Sequence, residues 1–199
     1  MAEKGKLIVI SGPSGAGKST VVFTAIKGRQ DMCFSTSVTT RKPRTGEVDG
    51  REYFFVDRER FLEMIEQDEL LEHAEYVGNL YGTPRDFVEQ RLSEGMNVIL
   101  DIEVQGARQV REKMPEAVMI FIIPPNLDEL RRRLVLRGTD AEDVIEARLI
   151  RARQECREAD IYDYIIINDD LSVAAGEFAS IIQAEHCRFE HRKQILAHI

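Results

Sequence analysis

The chain has 199 residues, enough to bury a sizeable core, and its length favours one domain or one domain with small insertions. With 27 Lys and Arg against 35 Asp and Glu the formal net charge is -8, which disfavours a broad nucleic-acid or anionic-membrane surface but leaves room for a local basic pocket. No apolar run approaches the roughly eighteen residues of a membrane span, and residues 1 to 6 lack the apolar core of a secretory signal. Cys33, Cys156 and Cys187 have neither zinc spacing nor the even count of a disulfide framework, so free thiols in a cytoplasmic protein are expected.

The first apolar run, Leu7 to Ile10, is strand length, and a helical pattern follows over Thr20 to Lys27. Between them Gly12-Pro-Ser-Gly-Ala-Gly-Lys18-Ser19 matches GxxxxGK[ST] in its strand-loop-helix context. Glycines there let backbone N–H groups turn toward phosphate oxygens, and the helix N-terminus adds partial positive charge. Lys18 reaches the outer phosphates and Ser19 ligates Mg²⁺.

From about 35 to 95 the pattern changes. Short β-like segments, Glu52 to Val56 and Leu70 to Val77, lie among turn signals including Thr45-Gly46 and Asp49-Gly50. A helix over Arg58 to Gln67 has Asp57 as its cap, and Thr83-Pro84 reads as N-cap and N1 of another. Within SVTTRKPRTGEVDGREYFF, Arg41, Lys42, Arg44 and Arg51 make a basic stretch in an acidic chain. Two guanidinium forks three residues apart suit a small dianion such as a monophosphate, although Arg41 and Arg44 could instead pair with Glu47 and Asp49 in solvent.

The apolar run Val98 to Ile102 carries a carboxylate, Asp101, at its end, where P-loop proteins place an acid near the metal and its waters. Glu103 would point the same way if the strand continues. Further strand-like runs follow at Val118 to Ile123 and Tyr164 to Ile167, and Asn126 with Glu129 reads as a capping-box variant opening a helix to Leu136. Arg137 to Asp143, flanked by Arg131, Arg132, Arg133 and Arg148, is a polar break where a mobile lid could sit. The alternation predicts an α/β fold with a parallel sheet of about five strands flanked by helices. Residues 1–34 and 96–199 form its P-loop core, with a helical lid at 131–150, and 35–95 form a small mixed β/α insertion. His73, His186, His191 and His198 show no ligand spacing.

SGPSGAGKST, SVTTRKPRTGE with GREYFF after it, LLEHAEYVGNLYGT, VILDIEVQGA, FIIPP and YIIINDDL, in this order, resemble the guanylate kinase family, most strongly its bacterial type, over about Lys6 to Arg188. The resemblance implies an enzyme that transfers the γ-phosphoryl group of ATP to GMP, and to dGMP, with Mg²⁺. It places ATP on Gly12, Pro13, Ser14, Gly15, Ala16, Gly17, Lys18, Ser19 and Thr20, with Asn168 and Asp169 near adenine. It places GMP on Ser37, Arg41, Arg44, Tyr53, Glu72, Tyr81, Thr83, Asp101 and Glu103, with both arginines and Tyr53 at its phosphate. Arg133, Arg137 and Arg148 match lid arginines that join Lys18 at the transferring phosphate, and Ser19 with Asp101, the latter through water, would serve the metal. Glu103 departs from the family, which more often has Asp there.

The same residues fit the chemistry directly. Guanine offers N1–H and an amine as donors beside its O6 acceptor, which a carboxylate such as Glu72 with a hydroxyl such as Thr83 or Ser37 complements. No partner beyond these small molecules is expected, neither nucleic acid nor membrane, and a homo-oligomer stays open. Two competing readings are a noncatalytic guanylate-kinase-like interaction module, which would generally lack the P-loop, and a ribose bisphosphate phosphokinase, against which Glu72 and Thr83 argue.

Overall fold

The computed structural model describes residues 4 to 138 and 140 to 198. Apolar runs become the strands of a five-stranded sheet: β1 (Leu7–Ser11), β2 (Met32–Phe34), β7 (Asn97–Asp101), β8 (Val118–Ile123) and β9 (Tyr164–Ile167), in the order β2-β7-β1-β8-β9. Every residue of β1 is buried, as expected for a strand covered on both faces. β2 pairs in parallel with β7, Cys33 opposite Val98, and β8 in parallel with β9, Phe121 opposite Ile165. Helices flank this sheet, as the alternation predicts. β2 escapes a sequence reading because three residues are too few to show a period. β7 ends at Asp101, so the continuation through Glu103 does not occur. Glu103 instead stands at the N-cap of α4 (Val104–Lys113), with φ -75° and ψ 161°.

Two compact units partition the chain: residues up to Val9 with Gln30–Ala117, and Ile10–Arg29 with Val118 onward. The first holds a second sheet, lying wholly within residues 35 to 95. Its strands β3 (Val38–Thr39), β4 (Phe54–Phe55), β5 (Leu70–Tyr76) and β6 (Asn79–Pro84) run in the order β4-β3-β6-β5. β3 pairs in parallel with β4 and antiparallel with β6, which makes the sheet mixed. β5 and β6 form a hairpin over Val77 and Gly78, whose φ angles of 48° and 74° are the left-handed pair that a tight two-residue turn needs. α2 (Arg58–Glu66) is opened by Asp57, whose carboxylate accepts from the Arg60 N–H. It lays Phe61 and Met64 against Val38, Leu70 and Leu80. Burying side chains of this size contributes about 1.5–3 kcal/mol each.

A one-residue bulge separates Leu70, opposite Pro84, from Glu72, opposite Thr83. It breaks the alternation, so Leu70, Leu71 and Glu72 are all buried. Glu72 is therefore not the surface strand residue that its spacing would ordinarily make it. α3 (Arg85–Ser93) has Pro84 at its N-cap, one residue later than the sequence predicts, and no side chain caps it. Thr83, the expected cap, instead donates its hydroxyl to Glu72.

In the second unit α1 (Lys18–Ile26) packs against α7 (Leu171–His186), which Asp170 caps through the Val173 N–H. α5 (Leu127–Arg137) and α6 (Glu142–Arg157) share the cluster Leu130, Leu134, Ile145, Leu149 and Ala152. Asn126 accepts from the Glu129 N–H, but Glu129 does not return the bond of a full capping box. Its carboxylate binds Arg132 and Arg133, which hold it down at about 2. α5 stops at Gly138, in the left-handed conformation at φ 65°. Of the expected polar break, Arg137 ends α5, Glu142 and Asp143 open α6, Gly138, Asp140 and Ala141 lie between the helices, and Thr139 lies outside the described residues. Arg131 ties the two helices together through Glu142 and Glu146. A short helix α8 (Phe189–Arg192) follows α7.

Candidate active site

The first half-site is the loop between β1 and α1. Gly12, Gly15 and Gly17 have φ angles of 143°, 97° and 85°, which side chains rarely adopt. A Cβ on Gly12 would meet the Ile122 carbonyl oxygen at 2.0 Å, and one on Gly17 the Asn168 Nδ2 at 2.5 Å. The Ala16 N–H donates to the Pro13 carbonyl at 3.0 Å and tightens the turn. Gly17 is the N-cap of α1, so the loop ends where the first helical turn leaves its N–H groups for an anion. Lys18 Nζ donates to the Gly12 carbonyl at 2.8 Å, which folds the ammonium back over the loop. Ser19 and Thr20 follow on the exposed first turn.

Side chains distant in sequence converge on this loop. Arg133 donates from Nη1 to the Ala16 carbonyl at 3.2 Å and from Nη2 to the Asn168 carbonyl at 2.7 Å, while Glu129 takes its Nε at 2.7 Å. Asn168 is buried and donates from Nδ2 to the same Ala16 carbonyl at 2.8 Å. Arg148 donates to the Ser14 hydroxyl at 2.8 Å and pairs with Asp140 at 3.3 Å. Arg137 and Asp169 are exposed, at the end of α5 and just before α7. The loop thus carries two cations beyond Lys18, as electrostatic neutralisation of a polyphosphate requires.

The second half-site belongs to the first unit and is built around the mixed sheet. Arg41 pairs with Glu47 at 2.8 Å, and its guanidinium lies 5.3 Å from the Tyr53 ring centroid and 5.8 Å from that of Phe55. Glu47 uses its second oxygen on the Arg44 N–H at 2.7 Å, so one carboxylate organises the loop that carries both arginines. The side-chain hydrogen bond from Arg41, then the Arg44 N–H, hold Glu47 below the usual carboxylate range. The Arg41–Glu47 pair raised from sequence forms, but with side chains only 14% and 17% exposed and not in solvent, and the Asp49 carboxylate accepts from the Phe55 N–H at 2.8 Å. Tyr53 and Tyr81 meet edge to face at 6.0 Å. Ser37 sits just before β3, its carbonyl accepting from the Phe54 N–H at 2.9 Å, and Arg44 is exposed.

Thr83 donates its hydroxyl to Glu72 Oε1 at 2.7 Å, both residues being buried. Burial pushes the Glu72 carboxyl up to about 6, the Thr83 hydrogen bond opposes this, and the Glu103 charge adds to it. Asp101 and Glu103, both exposed, flank the junction of β7 and α4. Sequence reasoning did not single out three further residues, all on α4. Gly106 lies so close to Glu72 that a Cβ would stand 2.6 Å from Oε2; Gln109 and Lys113 bond the backbone of β5. The helical glycine within VILDIEVQGA was the available signal for Gly106, whereas nothing local marks the other two. Among the described residues no group of three or more His, Cys, Asp or Glu side chains could hold a metal ion. No described helix is long and apolar enough to cross a membrane.

A phosphate-binding loop with a lysine and converging arginines, and elsewhere a buried acceptor carboxylate with an arginine-tyrosine cluster, are the equipment of a P-loop nucleoside monophosphate kinase. The guanylate kinase family profile matches residues 4–185. Guanylate kinases of Lactococcus lactis subsp. lactis and Bacillus cereus are 52% and 54% identical, over 96% and 95% of this chain and 93% of each relative. The crystal structure of guanylate kinase from Anaplasma phagocytophilum superposes with a TM-score of 0.69 at 37% identity, covering 94% of this chain and 88% of that one. The SH3-kinase fragment of tight junction protein 3 shares the fold at 11% identity and a TM-score of 0.51, over 94% of this chain and 60% of that one. The chain belongs to the guanylate kinase family, the nucleoside monophosphate kinases that pass a phosphoryl group from ATP to GMP.

Proposed function

We propose that this chain transfers the γ-phosphoryl group of ATP to GMP, and to dGMP, releasing ADP and GDP, with the two half-sites serving donor and acceptor. The loop from Gly12 to Thr20 binds the ATP phosphates, Lys18 neutralises the outer ones, and Asn168 and Asp169 border the adenine. Arg133, Arg137 and Arg148 stabilise the charge that spreads over the moving phosphoryl group. Such transfer has a loose transition state, so catalysis rests on alignment and charge neutralisation, with no covalent intermediate.

At the acceptor end Arg41, Arg44 and Tyr53 bind the GMP phosphate, Tyr81 adds a hydroxyl, and Ser37, Glu72 and Thr83 read guanine, with Asp101 and Glu103 completing the site. The observation that carries this reading is the buried Glu72 held by Thr83. With its proton removed, Glu72 accepts from the N1–H and amine of guanine, donors that adenine does not present in that arrangement. A buried polar group left unpaired by the wrong base can discriminate by about 10⁴ or more.

The Ser19 hydroxyl and the Asp101 carboxylate are hard oxygen donors, both accessible. That chemistry fits Mg²⁺, which takes one or two protein oxygens and completes its shell with phosphates and water. Ser19 would ligate it directly and Asp101 through water; the ion would supply charge neutralisation to the ATP phosphates. We place the activity in the cytoplasm, in purine nucleotide metabolism. The 35–95 segment serves as the acceptor-binding insertion on the 1–34 and 96–199 core, with 131–150 as the lid.

The test is ADP formation with GMP, dGMP and AMP at fixed ATP and Mg²⁺. GMP and dGMP should be turned over and AMP should not. Lack of GMP-dependent turnover together with failure to bind ATP would leave the noncatalytic interaction module as the better reading.

A further inference from the structure

Three residues of α4, Gly106, Gln109 and Lys113, recur at the helical spacing that puts them on one face. All three meet β5, an edge strand of the mixed sheet. Gln109 behaves as a side-chain substitute for a neighbouring strand. Its Oε1 accepts from the His73 N–H at 3.1 Å and its Nε2 donates to the His73 carbonyl at 3.0 Å. One amide therefore satisfies both hydrogen-bonding groups of the residue next to Glu72. Lys113 donates to the Leu70 carbonyl at 2.7 Å, on the other side of Glu72, and to Asp68 at 2.6 Å.

Gly106 lies between these anchors and Glu103. A Cβ there would stand 2.6 Å from Glu72 Oε2 and 3.3 Å from its Cδ, so a side chain at this position would push the carboxylate out of its place. Glycine in a helix interior is otherwise unfavourable, which gives its presence in α4 a cost that this contact explains. The bulge beside Leu71 makes the anchoring necessary. Where the regular ladder is broken, the strand pairing alone fixes the direction of Glu72 less well, and α4 supplies backbone partners on both sides of it.

We propose that this face of α4 is the device that sets guanine specificity: Gln109, with Gly106 and Lys113, positions the Glu72 carboxylate for the base. These are positioning residues that act through Glu72. The inference rests on the reading of Glu72 as the guanine-binding group.

The experiment compares steady-state kinetics of the wild type, Gln109→Met, Gly106→Ala and Glu72→Gln with GMP, IMP and AMP at saturating ATP, beside their melting temperatures. Gln109→Met keeps length and removes both bonds to His73; it should raise KM for GMP by about tenfold and narrow the ratio of GMP to AMP efficiency by a similar factor. KM for ATP should stay at the wild-type value. Gly106→Ala raises helix propensity, so the melting temperature should hold while KM for GMP rises by a comparable factor. A purely structural role would move the melting temperature and leave the selectivity ratio alone.

Glu72→Gln separates the two layers. If it retains wild-type discrimination, the assignment of Glu72 fails and this inference with it. If Glu72→Gln loses discrimination while Gly106→Ala and a folded Gln109→Met keep both KM for GMP and the GMP to AMP ratio, the positioning role alone is overturned. Should Gln109→Met not fold, Gly106→Ala decides by itself, since it leaves the His73 bonds in place.

Discussion

Thr83 donates its hydroxyl to Glu72 Oε1 at 2.7 Å across the β5-β6 pair, and both side chains are shut away from solvent. The bond fixes one carboxylate oxygen and counters part of the cost of burying the group. Thr83→Val keeps the shape and deletes the donor. It should destabilise the fold by about 1–3 kcal/mol, measured by urea unfolding, and raise KM for GMP with little change in KM for ATP. An unchanged KM for GMP would separate Thr83 from base recognition.

The elevated Glu72 pKa sets a pH dependence of definite sign. Its native value of about 6 lies above the ordinary 4.5, so the folded chain holds this proton more tightly than the unfolded one. The stability this confers is complete below pH 4.5 and is lost as pH rises through about 6. Binding runs the other way: the ionised form accepts from guanine, so KM for GMP should climb as pH falls below about 6. The phosphate of GMP titrates in the same region, at about 6 for a phosphate monoester. Comparing wild type with Glu72→Gln removes that contribution, and the difference between the two profiles should contain one extra ionisation in the wild type. Superimposable profiles would contradict the assignment.

Lys18 donates to the Gly12 carbonyl at 2.8 Å, a contact that a phosphate can take over. Lys18→Ala should lower kcat by about 10² or more while the protein remains folded, checked by single-turnover kinetics and circular dichroism. A change confined to KM for GMP would move Lys18 out of the chemical step.

The glycine loop has almost no tolerance for a side chain. Gly17→Ala would place a methyl 2.5 Å from Asn168 Nδ2, at a φ of 85°. We expect a loss of about 1–3 kcal/mol in stability and weakened ATP binding, read by calorimetry. Wild-type ATP affinity in this variant would mean that the loop adjusts more freely than its packing against Asn168 implies.

Arg41 combines an ion pair to Glu47 with contact to the Tyr53 ring, and a planar fork is what makes both possible. Arg41→Lys retains the charge but not the fork. KM for GMP should rise by about tenfold with KM for ATP unaffected; equal changes for both substrates would argue against a phosphate role confined to the acceptor.

How much of this could be read from the sequence follows from where each constraint lies along the chain. The glycine loop was legible because its requirements fall on eight consecutive residues, and β1 and β8 because both-face burial leaves continuous apolar runs. Asp57 and Asn126 cap helices as their local patterns predict. The failures are long-range. Thr83 read as the cap of α3, where Pro84 stands instead, and the bulge that buries Glu72 cannot be seen in an alternation pattern. Nothing local marks Gln109 and Lys113, whose bonds reach β5 36 and 43 residues away along the chain.

Selective recognition of guanine by an ionised, buried Glu72 is the central claim, and the most direct measurement is a coupled assay of ADP formation at fixed ATP and Mg²⁺ for wild type and Glu72→Ala. The wild type should prefer GMP over AMP by about 10⁴ or more in kcat/KM, and Glu72→Ala should lose most of that preference while keeping its affinity for ATP. A Glu72→Ala protein that discriminates GMP from AMP as well as the wild type would contradict it.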